Sequence, residues 1–75
     1  MTFGEFIRRK RLEKGYNFRE FCKQLGIDSG NWSKVERGKL PAPEDKEYLE
    51  SIAKFLSIKE DSSDWNTLFY LASSS

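Results

Sequence analysis

Apolar residues recur along this chain at the three- and four-residue spacing that is typical of amphipathic helices. Phe18, Phe21, Cys22 and Leu25 form the clearest set, and no stretch alternates with the two-residue period of a strand. Glycines and prolines separate the helical stretches, as turn-forming residues do. The pattern predicts helices over about residues 2–14, 18–25, 29–37, 44–56 and 63–72. The expected fold class is therefore all-α, a compact five-helix domain.

Length and composition limit what such a domain can be. The 75 residues suffice for one domain, predicted over residues 1–73 with a frayed tail at 74–75, and 37% hydrophobic residues support a small packed core. The chain has no histidine and a single cysteine, Cys22. This composition excludes an intramolecular disulfide, a zinc site and histidine-based catalysis, so we expect no metal, no cofactor and no enzyme.

Basic and acidic residues are unevenly distributed along the chain. Residues 1–40 hold ten Lys and Arg against five Asp and Glu, whereas residues 41–75 hold three against seven. We expect the first half to face an anion and the acidic half to face away from it. The longest apolar runs are three or four residues and the N-terminus has no signal-peptide pattern, so a cytoplasmic protein that does not enter a membrane is expected.

The second and third predicted helices are joined by only three or four residues around Gly26. So short a joint favours a steep crossing, for which the small side chain of Cys22 leaves room. Trp32 and Val35 are three residues apart and are expected to pack in the core, with stacking on a base as the alternative for Trp32. A helix about 10–12 Å wide fits the major groove of DNA. The side of the third helix left free carries Ser29, Gly30, Asn31, Ser33, Lys34 and Arg37.

Five sequence blocks follow one another in a characteristic order. They read Phe3-Gly4-x-x-Ile7-Arg8-x-x-Arg11, Gly15-Tyr16-Asn17, Phe21-Cys22-x-x-Leu25-Gly26-Ile27, Trp32-Ser33-Lys34-Val35-Glu36-Arg37-Gly38-Lys39 and Ile52-Ala53-Lys54-x-Leu56. Over residues 3 to about 58 this order resembles the lambda-repressor-like (Xre/Cro-type) helix-turn-helix family. The resemblance implies a DNA-binding domain in which the second and third helices form the motif. Its recognition helix would span about residues 29–37.

The resemblance also implies roles for individual residues. Ser29, Gly30 and Lys34 match positions that reach base edges, and the amide of Asn31 is a fourth candidate for base readout. A phosphate contact is the alternative for Lys34. The phosphate contacts expected from the family or from exposed polar and basic side chains are Asn17, Arg19, Ser33, Arg37 and Lys39.

Four further positions bear on the resemblance. Arg11 and Glu36 match a structural ion pair between the first and third helices, with a DNA contact as the alternative for Arg11. Phe18 stands where the family often has a glutamine that braces the recognition helix, and Gly30 offers no side chain. Because of these two departures, phosphate contacts and DNA shape are expected to contribute more than direct readout.

The last predicted helix carries apolar residues over a wide arc. Trp65, Phe69 and Tyr70 either complete the core or form a partner surface, most simply that of a homodimer. The leading interpretation is a transcriptional regulator, a repressor, that binds double-stranded DNA and is nucleoid-associated when bound. The alternatives are an antitoxin that binds a toxin and regulates its own promoter, and a protein-interaction module on the same fold.

Overall fold

The computed structural model describes residues 1–74, and within them it contains five helices and no strand. The all-α, five-helix prediction is confirmed. No helix in the described residues is long and apolar enough to cross a membrane. The helices are α1 (Phe3–Glu13), α2 (Phe18–Leu25), α3 (Ser29–Glu36), α4 (Lys46–Phe55) and α5 (Ser63–Ser74).

Side-chain caps explain where the helices begin. At α1 the backbone N–H of Glu5 donates to the Thr2 hydroxyl (3.1 Å) and the N–H of Thr2 donates to the Glu5 carboxylate (2.8 Å), which is a capping box. Asn17 caps α2 by accepting the backbone N–H three residues on, at 2.7 Å. The predicted start of α4 was two residues too early, because Asp45 takes the cap position and accepts the N–H of Glu47 at 3.0 Å.

Four helix ends differ from the predicted bounds by one or two residues. Helices α1, α3 and α4 each end one residue earlier than predicted, since their C-caps are Lys14, Arg37 and Leu56. Helix α5 continues through Ser74, two residues beyond its predicted end. Ser75, the last residue of the predicted frayed tail, lies outside the described residues.

A cluster of aromatic rings joins the first four helices. The ring centroid of Phe21 on α2 lies 5.8 Å from that of Trp32 on α3 and 5.6 Å from that of Phe55 on α4. Phe3 on α1 meets Trp32 edge-on at 6.3 Å. In addition α5 packs against α1 and α4, and buries Leu68 completely. The core therefore holds one face of α3 against two other helices and leaves its opposite face outside.

Helix α1 approaches the end of α3 very closely at Gly4. A Cβ atom built on Gly4 would lie 2.6 Å from the carbonyl oxygen of Glu36 and closer still to that of Val35. Real Cβ atoms do not come this near to a backbone oxygen, so the contact requires a glycine. The absence of a side chain at this position thus sets how deeply α3 is seated on α1.

Candidate nucleic-acid interface

The joint between α2 and α3 is short and fully explained by local geometry. Gly26 ends α2 in the left-handed conformation, with φ of 65°, which glycine adopts without strain. The N–H of Ile27 then donates back to the carbonyl of Cys22 at 2.8 Å. Asp28 caps α3 by accepting the N–H of Asn31 at 2.9 Å. These bonds define the angle at which the two helices meet.

The outward face of α3 is the one that the sequence indicated. Trp32, Val35 and Glu36 are buried, and a helix turns by about 100° per residue, so the opposite side is centred on Gly30, Lys34 and Arg37. Short polar residues lie on either side of these three positions. Of the base-readout candidates, Ser29, Gly30, Asn31 and Lys34 are all exposed.

A buried network of charge ties α3 to α1. Arg11 is 6% exposed and Glu36 is 8% exposed, and their side chains are joined by two parallel bonds, Nε to Oε2 at 3.2 Å and Nη2 to Oε1 at 3.1 Å. The indole Nε1–H of Trp32 also donates to Glu36 Oε2, at 2.8 Å. Arg11 Nη1 donates to the carbonyl of Tyr16 at 3.1 Å. Buried in this way, Arg11 is directed into the protein rather than towards a ligand.

Cys22 faces the same core from α2. Its side chain is 3% exposed, and burial raises the pKa of the thiol. A buried thiol with a raised pKa carries little of the reactive thiolate form, so Cys22 serves as a small packing residue.

The phosphate-contact candidates are exposed, with one exception. Asn17, Arg19, Arg37 and Lys39 are exposed, whereas Ser33 is half-buried. The Nε–H group of Arg37 donates to the carbonyl of Ser33 at 3.3 Å, which restrains that guanidinium along α3 and leaves its terminal nitrogens to bind elsewhere. Four of the five candidates are therefore accessible on the surface of the domain.

Lys10 has a structural role that the sequence interpretation missed. The Lys10 Nζ lies 2.8 Å from Asp64 Oδ2 on α5 and 5.6 Å from the ring centroid of Phe6. The hydrogen bond to Asp64 raises the pKa of the Lys10 ammonium. Its spacing of four from Phe6 was the one available signal, since it places both on one stripe of the helix.

Pairing within the protein leaves a surplus of exposed positive charge in the first half of the chain. Lys10 and Arg11 form ion pairs, while the described residues offer no ion-pair partner to the other eight basic side chains of residues 1–40. All eight are exposed: Arg8, Arg9, Lys14, Arg19, Lys23, Lys34, Arg37 and Lys39. An anionic polymer is the partner that such a surface attracts.

The three aromatic residues proposed as a partner surface on α5 are not equally available. Trp65 and Phe69 are partly buried and stack on each other, with ring centroids 4.9 Å apart. Tyr70 is 69% exposed. The structure thus brings Trp65 and Phe69 together against the core and leaves Tyr70 as the large exposed side chain of this set.

The fold and this exposed, polar helix face define a helix-turn-helix protein of the DNA-binding class. A family model described as a helix-turn-helix domain matches residues 2–64, which span α1 to the beginning of α5. The chain belongs to this helix-turn-helix domain family, which is of the Xre and lambda-repressor-like type. No curated protein and no solved structure matches the chain.

Proposed function

We propose that this protein is a transcriptional regulator that binds a specific sequence of double-stranded DNA and acts as a repressor. The observation that carries the proposal is the two-sided character of α3. One side is fastened to the core by Trp32, Val35 and Glu36, and the other presents exposed Gly30 and Lys34. A helix held rigidly on one side and bare on the other can enter a major groove without rearranging the domain.

The proposed contacts fall into two groups. Base readout is assigned to Ser29, Gly30, Asn31 and Lys34, whose polar members can donate to the acceptors on base edges. Phosphate contacts at the sides of the groove fix the position of the helix without reading sequence. They are assigned to Asn17, Arg19, Ser33, Arg37 and Lys39. Such a protein acts in the cytoplasm, on the nucleoid.

We further propose that two copies associate through α5. From Trp65 to Ser74 this helix carries no charged residue, and Tyr70 is exposed on it. An uncharged helix face with an exposed aromatic residue is typical of the central part of a protein interface. A two-fold dimer would place two α3 helices in successive major grooves about 34 Å apart.

The same uncharged face of α5 supports one alternative function. In an antitoxin the face would contact a toxin, and the domain would still bind its own promoter. Purification of the protein alone and after co-expression with candidate small toxins distinguishes the two cases. A stable homodimer that captures no toxin supports the regulator, and a one-to-one complex with a toxin supports the antitoxin.

Selection from a random duplex library tests the proposed function. At about 150 mM salt we expect a two-fold symmetric site, with half-sites about ten base pairs apart. For about 6–8 phosphate contacts the slope of log K against log salt is about −5 to −7. Enrichment of a single asymmetric site would remove the dimer, and a folded protein that enriches nothing would overturn the DNA-binding proposal.

A lysine substitution with a matched control tests the role of α3. Lys34→Ala is expected to weaken binding to the selected site by about 1–3 kcal/mol and to relax the preference at one base pair. Lys59→Ala removes another exposed lysine, in the segment between α4 and α5, and should leave the affinity for DNA unchanged. An equal loss for Lys34→Ala on all sequences would assign Lys34 to a phosphate instead.

A further inference from the structure

Gly30 is the one glycine of this chain that the fold does not explain. Of the five glycines, Gly15, Gly26 and Gly38 have positive φ, and Gly4 is pressed against the backbone of α3. At Gly30 a Cβ would meet only Asp28 Oδ2, at an ordinary contact distance of 3.4 Å, and the backbone is helical. Alanine would therefore fit in the free protein.

A glycine in a helix also destabilises it relative to alanine, because it has more conformational freedom to lose on folding. The chain bears this cost at a residue that is exposed in the first turn of α3, between Ser29 and Asn31 and one turn from Lys34. Nothing on the protein side occupies the space that a side chain would fill. The reason for the missing methyl group thus lies outside the protein, on the side that faces the ligand.

We propose that the space over Gly30 receives the C5-methyl group of a thymine in the major groove, a step that rests on the DNA-binding function proposed above. A bare Cα has no polar group, so a donor or acceptor of a base placed against it would lose its water without gaining a partner. The thymine methyl is the apolar group among the base edges exposed in the major groove. Gly30 then selects thymine by shape, while Lys34 and its polar neighbours read the adjacent bases.

The test removes the methyl group from the DNA and adds a methyl group to the protein. Each thymine of the library-selected site is replaced in turn by uracil, which lacks only the C5-methyl, and wild type and Gly30→Ala are titrated against each duplex. At one thymine per half-site, uracil should cost the wild type about fourfold in affinity, the equivalent of one buried methyl group. The affinity of Gly30→Ala for the thymine site should be lower than that of the wild type by on the order of tenfold. On the uracil site most of this lost affinity should be restored.

Two controls separate this contact from a general loss. Gly30→Ala should raise the melting temperature by about 2–6 °C, which shows that the variant is folded. Lys34→Ala should lose affinity by the same factor whether the base proposed to lie over Gly30 is thymine or uracil.

Three results would overturn the proposal about Gly30. They are a selected site without thymine, a Gly30→Ala variant that binds as tightly as the wild type, and equal losses of that variant on thymine and uracil at every position. Failure of the wild type to enrich any site would instead refute the DNA-binding function itself. Because the library selection uses only the wild type, this failure is distinguishable from a failure of the proposal about Gly30.

Discussion

Replacing Glu36 by glutamine tests whether the buried charge network holds α3 against α1. The substitution preserves the size of the side chain but removes its charge and one of its two acceptors. In the wild type those oxygens accept two bonds from Arg11 and one from the indole of Trp32, at 3.2, 3.1 and 2.8 Å. A glutamine oxygen in the place of Oε2 can still accept from Arg11 Nε and from the Trp32 indole, but the amide NH2 then faces Arg11 Nη2 in place of the acceptor Oε1. The Arg11 guanidinium, 6% exposed, is left without a counter-charge.

The expected loss is large relative to the stability of so small a domain. Removing one member of a buried ion pair costs about 3–5 kcal/mol. At about 0.05–0.15 kcal/mol per residue, a chain of 75 residues is stable by roughly 4–11 kcal/mol. We therefore expect Glu36→Gln to lower the melting temperature by at least about 12 °C, with α3 the helix most affected.

A double variant distinguishes an uncompensated charge from lost packing. Arg11→Met combined with Glu36→Gln removes both charges and keeps an oxygen for the Trp32 indole, so it should be more stable than Glu36→Gln alone. Urea unfolding followed by far-UV circular dichroism measures all the variants. The reasoning is refuted if Glu36→Gln costs less than about 1 kcal/mol, or if the double variant is no more stable than the single one.

Two further predictions concern contacts of α1. Gly4→Ala should destabilise the protein by about 1–3 kcal/mol and weaken DNA binding, because the new Cβ meets the Val35 carbonyl and displaces α3; an unchanged melting temperature would contradict this close approach. Lys10→Met keeps the packing on Phe6 but loses the Asp64 partner, at a cost below about 1 kcal/mol at pH 7. Because the pair raises the pKa of Lys10 above its ordinary 10.5, its contribution is complete below that pH and is lost as pH rises through the folded-state pKa. The melting temperatures of wild type and Lys10→Met should thus differ at pH 7 and converge once the pH has risen through the raised pKa of Lys10. A difference that persists there would assign the effect of Lys10 to packing alone.

Local signals in the sequence determined the helices. The bounds of α2 were predicted without error because Asn17 supplies its cap and Gly26 its left-handed end, and both act within a few residues of chain. The start of α4 was misplaced because Glu44 and Asp45 were counted in its first turn, whereas Asp45 is its N-cap and the helix begins at Lys46. The exposed face of α3 was also predictable, since Trp32 and Val35 mark its buried side.

Contacts between helices far apart in sequence were decided by the tertiary structure. The resemblance paired Arg11 on α1 with Glu36 on α3, a contact between residues 25 apart that no helical spacing predicts. The indole bond from Trp32 to Glu36 is different, since it lies within α3 between residues four apart. No sequence spacing links Lys10 to Asp64, because α5 reaches α1 only after the chain has folded. The sequence by itself determined which segments are helical and which face of each is apolar, because helical hydrogen bonds, caps and the spacing of apolar residues act over a few residues of chain. The packing of the helices alone decided which charged side chains form ion pairs within the protein and which remain unpaired on its surface.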